Sequence, residues 1–391
     1  MSKKNLIVLF GGKSTEHEIS IITALQAIEN LDRTKYDITP IYVSKFGKWI
    51  LGDSSFFSPN KYKDLALIER KYPSVSITLG DVGRLSKNLF QTLKHADVIF
   101  PIFHGTNGED GSTQGLLELL NIPYVGCGVI SSALGMDKII QKQIFTQIGL
   151  PQVKYQWFYR QTWKANPKKT LAQLSKLKYP LYVKPCNGGS SVGISRVAKI
   201  SKLKDALEVA AYYDRKILVE ESAENFMEIN ISVMGNSGSA LETSVCEYVP
   251  SKGLLTYEDK YMSKGSKTDL KNAGMASGKH IIPASIKPAT AKKISDYAKQ
   301  AFSAIDGQGF TRADFLVSLD EKTIYINELN TIPGSLAHFL WTASGYTHSQ
   351  FLDKLVELAE NRHKEKSQLT FNFNTNILSN LGSITQGKLK V

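Results

Sequence analysis

Two short apolar runs, Phe315-Leu316-Val317 and Thr323-Ile324-Tyr325-Ile326, flank the mostly polar Leu319-Asp320-Glu321-Lys322, and this pairing limits the available folds more than any other feature. Runs of this length joined by a polar turn read as a β-hairpin. Asp314 opens the first run, while Glu328 and Asn330 follow the second. Side chains two apart on a strand share a face, so Glu328 and Asn330 are expected to point the same way, with Asp314 joining them from the partner strand. Three oxygen ligands of this kind suit Mg²⁺, which binds through carboxylates and substrate phosphates while keeping waters. Arg312, on the adjoining turn, is the expected anion clamp. The alternative is a solvated hairpin with scattered charges.

At 391 residues the chain is long enough for roughly two or three domains. A hydrophobic content of 42% supports packed cores and excludes disorder. Cys127, Cys186 and Cys246 are too far apart for a CxxC metal site or a disulfide framework, which points to a reducing, cytoplasmic setting. Only Leu6 to Phe10 is apolar before Gly11-Gly12, too short for a signal-peptide core, and no apolar run reaches the roughly 18 residues of a membrane span, so no membrane partner is expected. The net charge of +12 comes from lysines spread along the chain, without an arginine-rich patch or a nucleic-acid module. Nucleotide and carboxylate substrates account for it better than nucleic acid does.

Leu6 to Phe10 reads as a buried parallel strand, followed by the loop Gly11 to Glu18 and a helix carrying Ile19, Ile22, Leu25 and Ile28. Strand, glycine-rich loop and helix open a doubly wound α/β unit. Gly12-Lys13-Ser14 is not a P-loop, because Ile7 stands where that motif needs glycine. A second strand, Val98 to Phe103, ends at His104-Gly105-Thr106-Asn107-Gly108-Glu109-Asp110-Gly111, so His104 and Glu16 should face one crevice at the strands' carboxyl ends. Ser132 to Ile148 reads as one helix with Lys138 in its first half, stopped by Gly149 and Pro151, and the first domain ends near there. Tyr182-Val183-Lys184-Pro185, then Cys186 to Gly193, reads as a strand, a lysine and a phosphate-covering loop. Gly188-Gly189 permit positive φ, and Val192 and Ile194 begin the next strand. Ile217 to Glu221 is a strand whose terminal carboxylates can take ribose hydroxyls or merely face solvent. The polar stretch from Glu247 to about Lys279 has the length of an active-site lid. Helices are expected over Pro288 to Ile305 and Tyr346 to Ala359, a charged break at Asn361 to Lys364, an edge strand at Leu369, Phe371 and Phe373, and a tail over Gly382 to Val391.

Taken together, these segments resemble the D-alanine–D-alanine ligase family of ATP-grasp enzymes from residue 5 to about 360. The motifs that carry the resemblance are Phe10 to Ser20, His104 to Gly111, Met136-Asp137-Lys138, Val183-Lys184-Pro185 with Gly189 to Gly193, Glu258 to Tyr261, and Asn327 to Gly334, all in order. The resemblance implies an α/β (α+β) chain with an ATP-grasp fold behind a Rossmann-like doubly wound N-terminal domain. Its divisions are 1–130, 131–232 (central subdomain with the phosphate loop), 233–362 (lid and Mg²⁺ site) and a C-terminal extension at 363–391.

It also implies the chemistry. ATP phosphorylates the carboxylate of one D-alanine, and the amine of a second displaces phosphate, supplying D-Ala-D-Ala for peptidoglycan precursors. Glu16 would hold the first ammonium, with His104 near its carboxylate. Lys138 and Lys184 would sit on the ATP phosphates, with Ser191 and Lys260 also at the ATP site. Glu220 would take the ribose, with Glu221 and Glu228 beside the nucleotide. Asp314, Glu328 and Asn330 would hold two Mg²⁺ ions, for which Mn²⁺ can substitute. Arg312 and the Gly334 N–H would stabilise the acyl phosphate and the oxyanion. Ser190 and Tyr261 would form a hydrogen-bonded triad with Glu16, closing the lid against water. A tyrosine at 261 fits an amine acceptor, and a homodimer is expected by the same likeness.

The sequence departs from the family pattern in four places. The segment after Gly334 is shorter, with Phe339 near the place of a serine that grips the second carboxylate, so Ser335 or His338 would have to substitute. The lid carries an extra stretch around Lys267 to Gly278. Met227-Glu228-Ile229-Asn230 replaces a more acidic pattern, and residues 363–391 exceed the usual end. The competing readings are an ATP-grasp ligase with another acceptor and a nucleotide-binding protein without turnover.

Overall fold

In the computed structural model the described residues are 2–76, 87–250 and 280–372, and they build three sheets. The first sheet has the order β4-β3-β2-β1-β5, from β1 (Lys4–Gly11), β2 (Tyr36–Val43), β3 (Lys48–Leu51), β4 (Ser74–Ser76) and β5 (Val98–Phe103). β1 runs parallel to both β2 and β5, while β3 pairs antiparallel with β2 and with β4. β1 and β5 are buried on both faces, as an unbroken apolar run requires. Helix α1 (His17–Asn30) packs on this sheet with all but four of its residues buried. His17 serves the fold, donating from Nδ1 to the Gly12 carbonyl and accepting at Nε2 from the Tyr42 hydroxyl.

The second sheet, order β6-β9-β7-β8, comprises β6 (Tyr155–Tyr159), β7 (Leu181–Pro185), β8 (Ser195–Val197) and β9 (Lys216–Glu221), all antiparallel. It has its own apolar core, closed by the helix Leu203–Tyr213. The third sheet, order β11-β10-β13-β14 with β12 beside β10, is built from β10 (Phe226–Asn236), β11 (Glu242–Thr243), β12 (Glu247–Val249), β13 (Gln308–Ser318) and β14 (Ile324–Asn330). β10 straddles the expected division at 232/233. The expected helix from Pro288 is present as Pro288–Ala304 and covers one face of this sheet.

Phe310 of β13 and the helix His348–Ser367 share a single core with β1, β5 and α1, so the first and third sheets form one body. Arg362 strengthens that seam, donating to the carbonyls of Gly126 at 2.6 Å and Tyr124 at 2.7 Å.

Several local expectations are corrected. The helix over 132–148 is two helices, Val129–Met136 and Lys138–Gln147. Asp137 between them adopts an extended ψ, and its carboxylate accepts from the Ile139 and Ile140 amides, so a capping aspartate starts a new helix. The charged stretch 361–364 lies inside the helix His348–Ser367, because Arg362 has partners on the first sheet's loop. Leu369 and Phe371 are exposed in irregular chain and pair with no strand among the described residues, while Phe373 lies outside them. Val192 and Ile194 belong to the turn, and β8 begins at Ser195. Arg312 is within β13, not on a turn.

Candidate active site

The third sheet presents one polar face, set by register. Glu247, Asn230, Asp314 and Glu328 stand opposite one another across β12, β10, β13 and β14, and Ser232, Arg312 and Asn330 form the next row. Directly opposed residues of an antiparallel ladder share a face. The other face carries Ile229, Ile231, Ala313 and Phe315 into the core. Strict alternation along β14 would put Glu328 and Asn330 on the same face as Ile326, which is in that core. A β-bulge after Asp314 prevents this: Asp314 pairs Glu328 but Phe315 pairs Ile326, leaving Asn327 as the extra residue. The bulge therefore turns Glu328 and Asn330 onto the polar face.

On that face Arg312 grips Asp314 with two parallel bonds, Nε to Oδ1 at 2.6 Å and a terminal nitrogen to Oδ2 at 2.8 Å. Asn330 Nδ2 also donates to Asp314 Oδ2 at 3.0 Å. Burial lowers the Arg312 pKa, but Asp314 outweighs it, with Glu247 and Glu228 adding to a net rise. Glu247 is buried, paired with His280 Nδ1 and within 3.5 Å of Asn230 Nδ2. Two carboxylates and an amide side chain on neighbouring strands offer only hard oxygen donors, the chemistry that Mg²⁺ requires, so the residues present fit such an ion.

Lys138 opens its helix beside this face. Its Nζ donates to the Gly188 carbonyl at 2.7 Å and lies 3.3 Å from Glu328 Oε2. Burial works against its charge, but Glu328 prevails and the pKa is raised. The helix is fastened to β14 by Gln141, whose amide exchanges two hydrogen bonds with the Leu329 backbone. One turn on from Lys138, Lys142 meets Glu220 at 2.5 Å, and Lys184 reaches the other Glu220 oxygen at 2.5 Å. All three side chains are at most 10% exposed. The Lys142 approach has the distance of an ion pair without the angle of a hydrogen bond. Burial raises the Glu220 pKa, yet the two ammonium groups overcome it and hold the carboxyl at about 2. Glu220 thus pairs with lysines rather than standing open for ribose, while Glu221 accepts from the Lys178 amide.

The phosphate-loop candidate follows β7. Positive φ falls at Ser190 (51°), Ser191 (61°) and Gly193 (73°), not at the expected Gly188-Gly189 pair. Gly189 is required for a different reason: a Cβ there would sit 2.4 Å from Glu16 Oε2. Ser190 Oγ donates to Glu16 Oε1, so the expected Glu16–Ser190 contact is present, joining the second sheet's loop to the first. Of the lid expected from Glu247, Glu247–Val249 is instead strand β12, because it pairs with β10, while 251–279, with Lys260, Tyr261 and the extra stretch at 267–278, lies outside the described residues.

Around Glu16 the first sheet's second loop closes in. Glu109 accepts from the Gly105 amide at 2.7 Å and from the Ile332 amide at 3.1 Å. Burial, then the Glu16 charge, push its pKa up to about 8. His104 is buried, and its pKa falls to about 4, chiefly through burial and against the pull of a hydrogen bond with the Ile332 backbone. The imidazole is therefore neutral at pH 7.

Gly334 opens a short turn in which Ser335, Leu336 and Ala337 all have φ between 50° and 52°. Three successive left-handed residues other than glycine cost on the order of 1 kcal/mol each, and such strain gathers at functional sites. Ser335 is pinned at both ends: its amide donates to Thr23 Oγ1 at 3.2 Å, and its carbonyl accepts from His338 Nδ1 at 2.9 Å. His338 stacks on His348 with ring centres 4.1 Å apart.

Comparison with known proteins gives the family. The family pattern described as the D-ala D-ala ligase N-terminus covers residues 5–127, and that of the D-ala D-ala ligase C-terminus covers 144–357. The chain belongs to the D-alanine–D-alanine ligase family. It is 41% identical over 375 residues to the D-alanine–D-alanine ligase of Bacillus velezensis, covering 93% of this chain and 100% of that one. Among solved structures it resembles the D-alanine–D-alanine ligase of Coxiella burnetii, with a TM-score of 0.75 and 30% identity over 94% of this chain and 97% of that one. It also resembles the VanG D-Ala:D-Ser ligase of Enterococcus faecalis, with a TM-score of 0.73 and 31% identity over 92% and 100%. The fold is accordingly ATP-grasp, and the family's reaction is an ATP-dependent ligation needing metal ions. No helix among the described residues is long and apolar enough to cross a membrane.

Within this ligase frame, sequence reasoning overlooked Thr23, Glu109, Gln141, Lys142, Asn230 and Glu247. Lys142 carried a usable signal, four residues after Lys138 on one helix face, and Glu109 lay inside a motif already singled out. Glu247 and Asn230 had none, since only sheet register brings them beside Asp314.

Proposed function

We propose that the protein joins two D-alanines to D-Ala-D-Ala through an acyl phosphate, at the expense of ATP and with two Mg²⁺ ions that Mn²⁺ can replace. The observation that carries this reading is the convergence on the polar face of the third sheet. There Arg312, Asp314, Glu328 and Asn330 lie beside Lys138, with Glu16 and Ser190 tied across the crevice. Asp314, Glu328 and Asn330 would hold the metal, which when bound neutralises phosphate charge. Lys138 and Lys184 hold the phosphates, with Ser191, Glu221, Glu228 and Lys260 also at the nucleotide. Lys142 and Glu220 keep Lys184 in place.

Glu16 takes the first ammonium, and neutral His104 sits by the carboxylate without competing for its charge. Arg312, fixed by its two bonds to Asp314, stands with the Gly334 amide where negative charge develops. Tyr261 would complete the contact of Ser190 with Glu16 and so keep water from the acyl phosphate. Ser335, held in its left-handed turn, lines the acceptor side, with His338 bracing it. Cytoplasmic placement and a homodimer belong to the same proposal and rest on the family likeness. A second reading, with D-serine or another acceptor, draws on the shortened segment after Gly334 and on the comparable likeness to a D-Ala:D-Ser ligase.

The test is phosphate release from ATP and Mg²⁺ with a panel of D- and L-amino acids and D-lactate, with products identified by mass. D-Ala-D-Ala as the main product is the expected result. Turnover only with another acceptor would move the protein to the second reading, and no ATP turnover with any of them would reject both.

A further inference from the structure

Thr23 lies in the middle of α1 and is 1% exposed, at the point where the first sheet's helix meets the strained turn after Gly334. Its hydroxyl is within 3.2 Å of the Ser335 amide and 3.1 Å of His104 Nε2. The amide has only a hydrogen to give, so Oγ1 accepts it. A hydroxyl that accepts still has its own hydrogen to donate, and a neutral imidazole has one nitrogen able to take it. The Ile332 backbone also favours the charged ring, the effect of an acceptor near its other nitrogen, Nδ1; with the N–H there, Nε2 is the acceptor facing Thr23. The polar chain then has one direction, Ser335 N–H to Thr23 and Thr23 O–H to His104 Nε2, with Ile332 beside the ring's other nitrogen. Both ends return to the segment 332–335, which Glu109 holds from the opposite side through the Ile332 amide.

We propose that Thr23 is a positioning residue for the ligation: its single hydroxyl ties the His104 ring to Ser335 and holds the left-handed turn at Ser335–Ala337 against which the second substrate sits. This rests on the ligase reading above. The hydroxyl acts through its neighbours, since it is enclosed and both of its bonds go to protein. A left-handed turn without glycine needs such external fastening, because its own backbone preference is to relax. With the amide released, the turn would relax towards ordinary φ values and reshape the acceptor side, while the ATP site around Lys138 and Lys184 would stay intact. The first D-alanine, held by Glu16, would be affected less than the second.

The experiment compares the wild-type protein with Thr23→Val and Thr23→Ser. Imidazole ¹⁵N spectra of the full chain, with His104 assigned through His104→Gln, read the tautomer without any substrate. Steady-state kinetics then separate the KM values of the two D-alanine sites and of ATP. Thr23→Val is expected to shift the His104 Nε2 resonance towards that of an unbonded imine nitrogen. It should also raise the acceptor KM about tenfold, with ATP KM changed less than about twofold, as suits one lost buried hydrogen bond. Thr23→Ser should restore both. A His104 spectrum and acceptor KM unchanged in Thr23→Val would overturn the proposal, as would a folded Thr23→Ser protein impaired as badly as the valine variant. Should the wild type make no D-Ala-D-Ala, the ligase reading falls by itself, and the spectra still decide whether Thr23 governs His104.

Discussion

Replacing Glu220 with glutamine tests whether this carboxylate holds the lysines or serves the nucleotide. Glu220 is 2% exposed and lies 2.5 Å from both Lys142 and Lys184. Its pKa falls from 4.5 to about 2, which corresponds to about 3 kcal/mol in favour of the charged form. Removing one partner of a buried ion pair commonly costs about 3–5 kcal/mol, because the remaining charge is left without compensation. The imperfect angle at Lys142 argues for the lower end. At about 2–4 °C per kcal/mol, Glu220→Gln should melt about 6–12 °C below the wild type at pH 7. The sign of the pH dependence follows from the lowered pKa. The stability Glu220 supplies is present above its unfolded value and is lost as pH falls through the folded one, so the two melting curves should converge between pH 4.5 and pH 2. Adding Lys142→Met to Glu220→Gln should recover part of the loss by removing the stranded ammonium. Scanning calorimetry across that pH range reads all of this. If Glu220→Gln instead leaves the melting temperature within about 1 °C while raising the KM for ATP, the carboxylate serves the nucleotide and the reasoning from burial is wrong.

Three further predictions follow from the same geometry. Arg312→Ala should lower ligase turnover by about 10²–10³ while ATP binding, followed by calorimetry, persists; near-normal turnover would reject its clamp role. Deleting Asn327 removes the bulge, so that either Ile326 or Glu328 must change faces, and the protein should lose most of its soluble yield; Asn327→Ala keeps the residue count and should melt close to wild type. His104, with its pKa lowered from 6.5 to about 4, supplies stability that is present above pH 6.5 and lost on acidification towards pH 4. His104→Gln should flatten the stability profile over that interval, and an unchanged slope would mean that His104 is not buried as a neutral ring.

How much was legible depended on the range of the interactions. β1, β5, β7 and β9 announced themselves as apolar runs, since a strand buried on both faces needs no partner to be recognised. The break at Asp137 was hidden because Ile140, Ile144 and Ile148 keep a helical spacing, while a capping aspartate two residues before Ile139 also fits a helix interior. The C-terminal helix was underestimated because its charges looked like solvated ends, although Arg362 is held by carbonyls more than 230 residues away. Gly189 was assigned a conformational role when its need is steric, set by Glu16 from another sheet.

By itself the sequence determined the local elements, the doubly wound opening and the residue types of the site, because hydrophobic period, turn chemistry and loop motifs act within a few positions. Which of those residues face one another was a tertiary decision. Simple alternation would have turned Glu328 into the core, and only the pairing of β13 with β14, with Asn327 pushed out, brings it beside Asp314 and Lys138. Likewise Lys142 and Glu220, or Thr23, His104 and Ser335, acquire their roles only when distant segments share a desolvated interior. There an unpaired charge or hydrogen bond is costly enough to select a single arrangement.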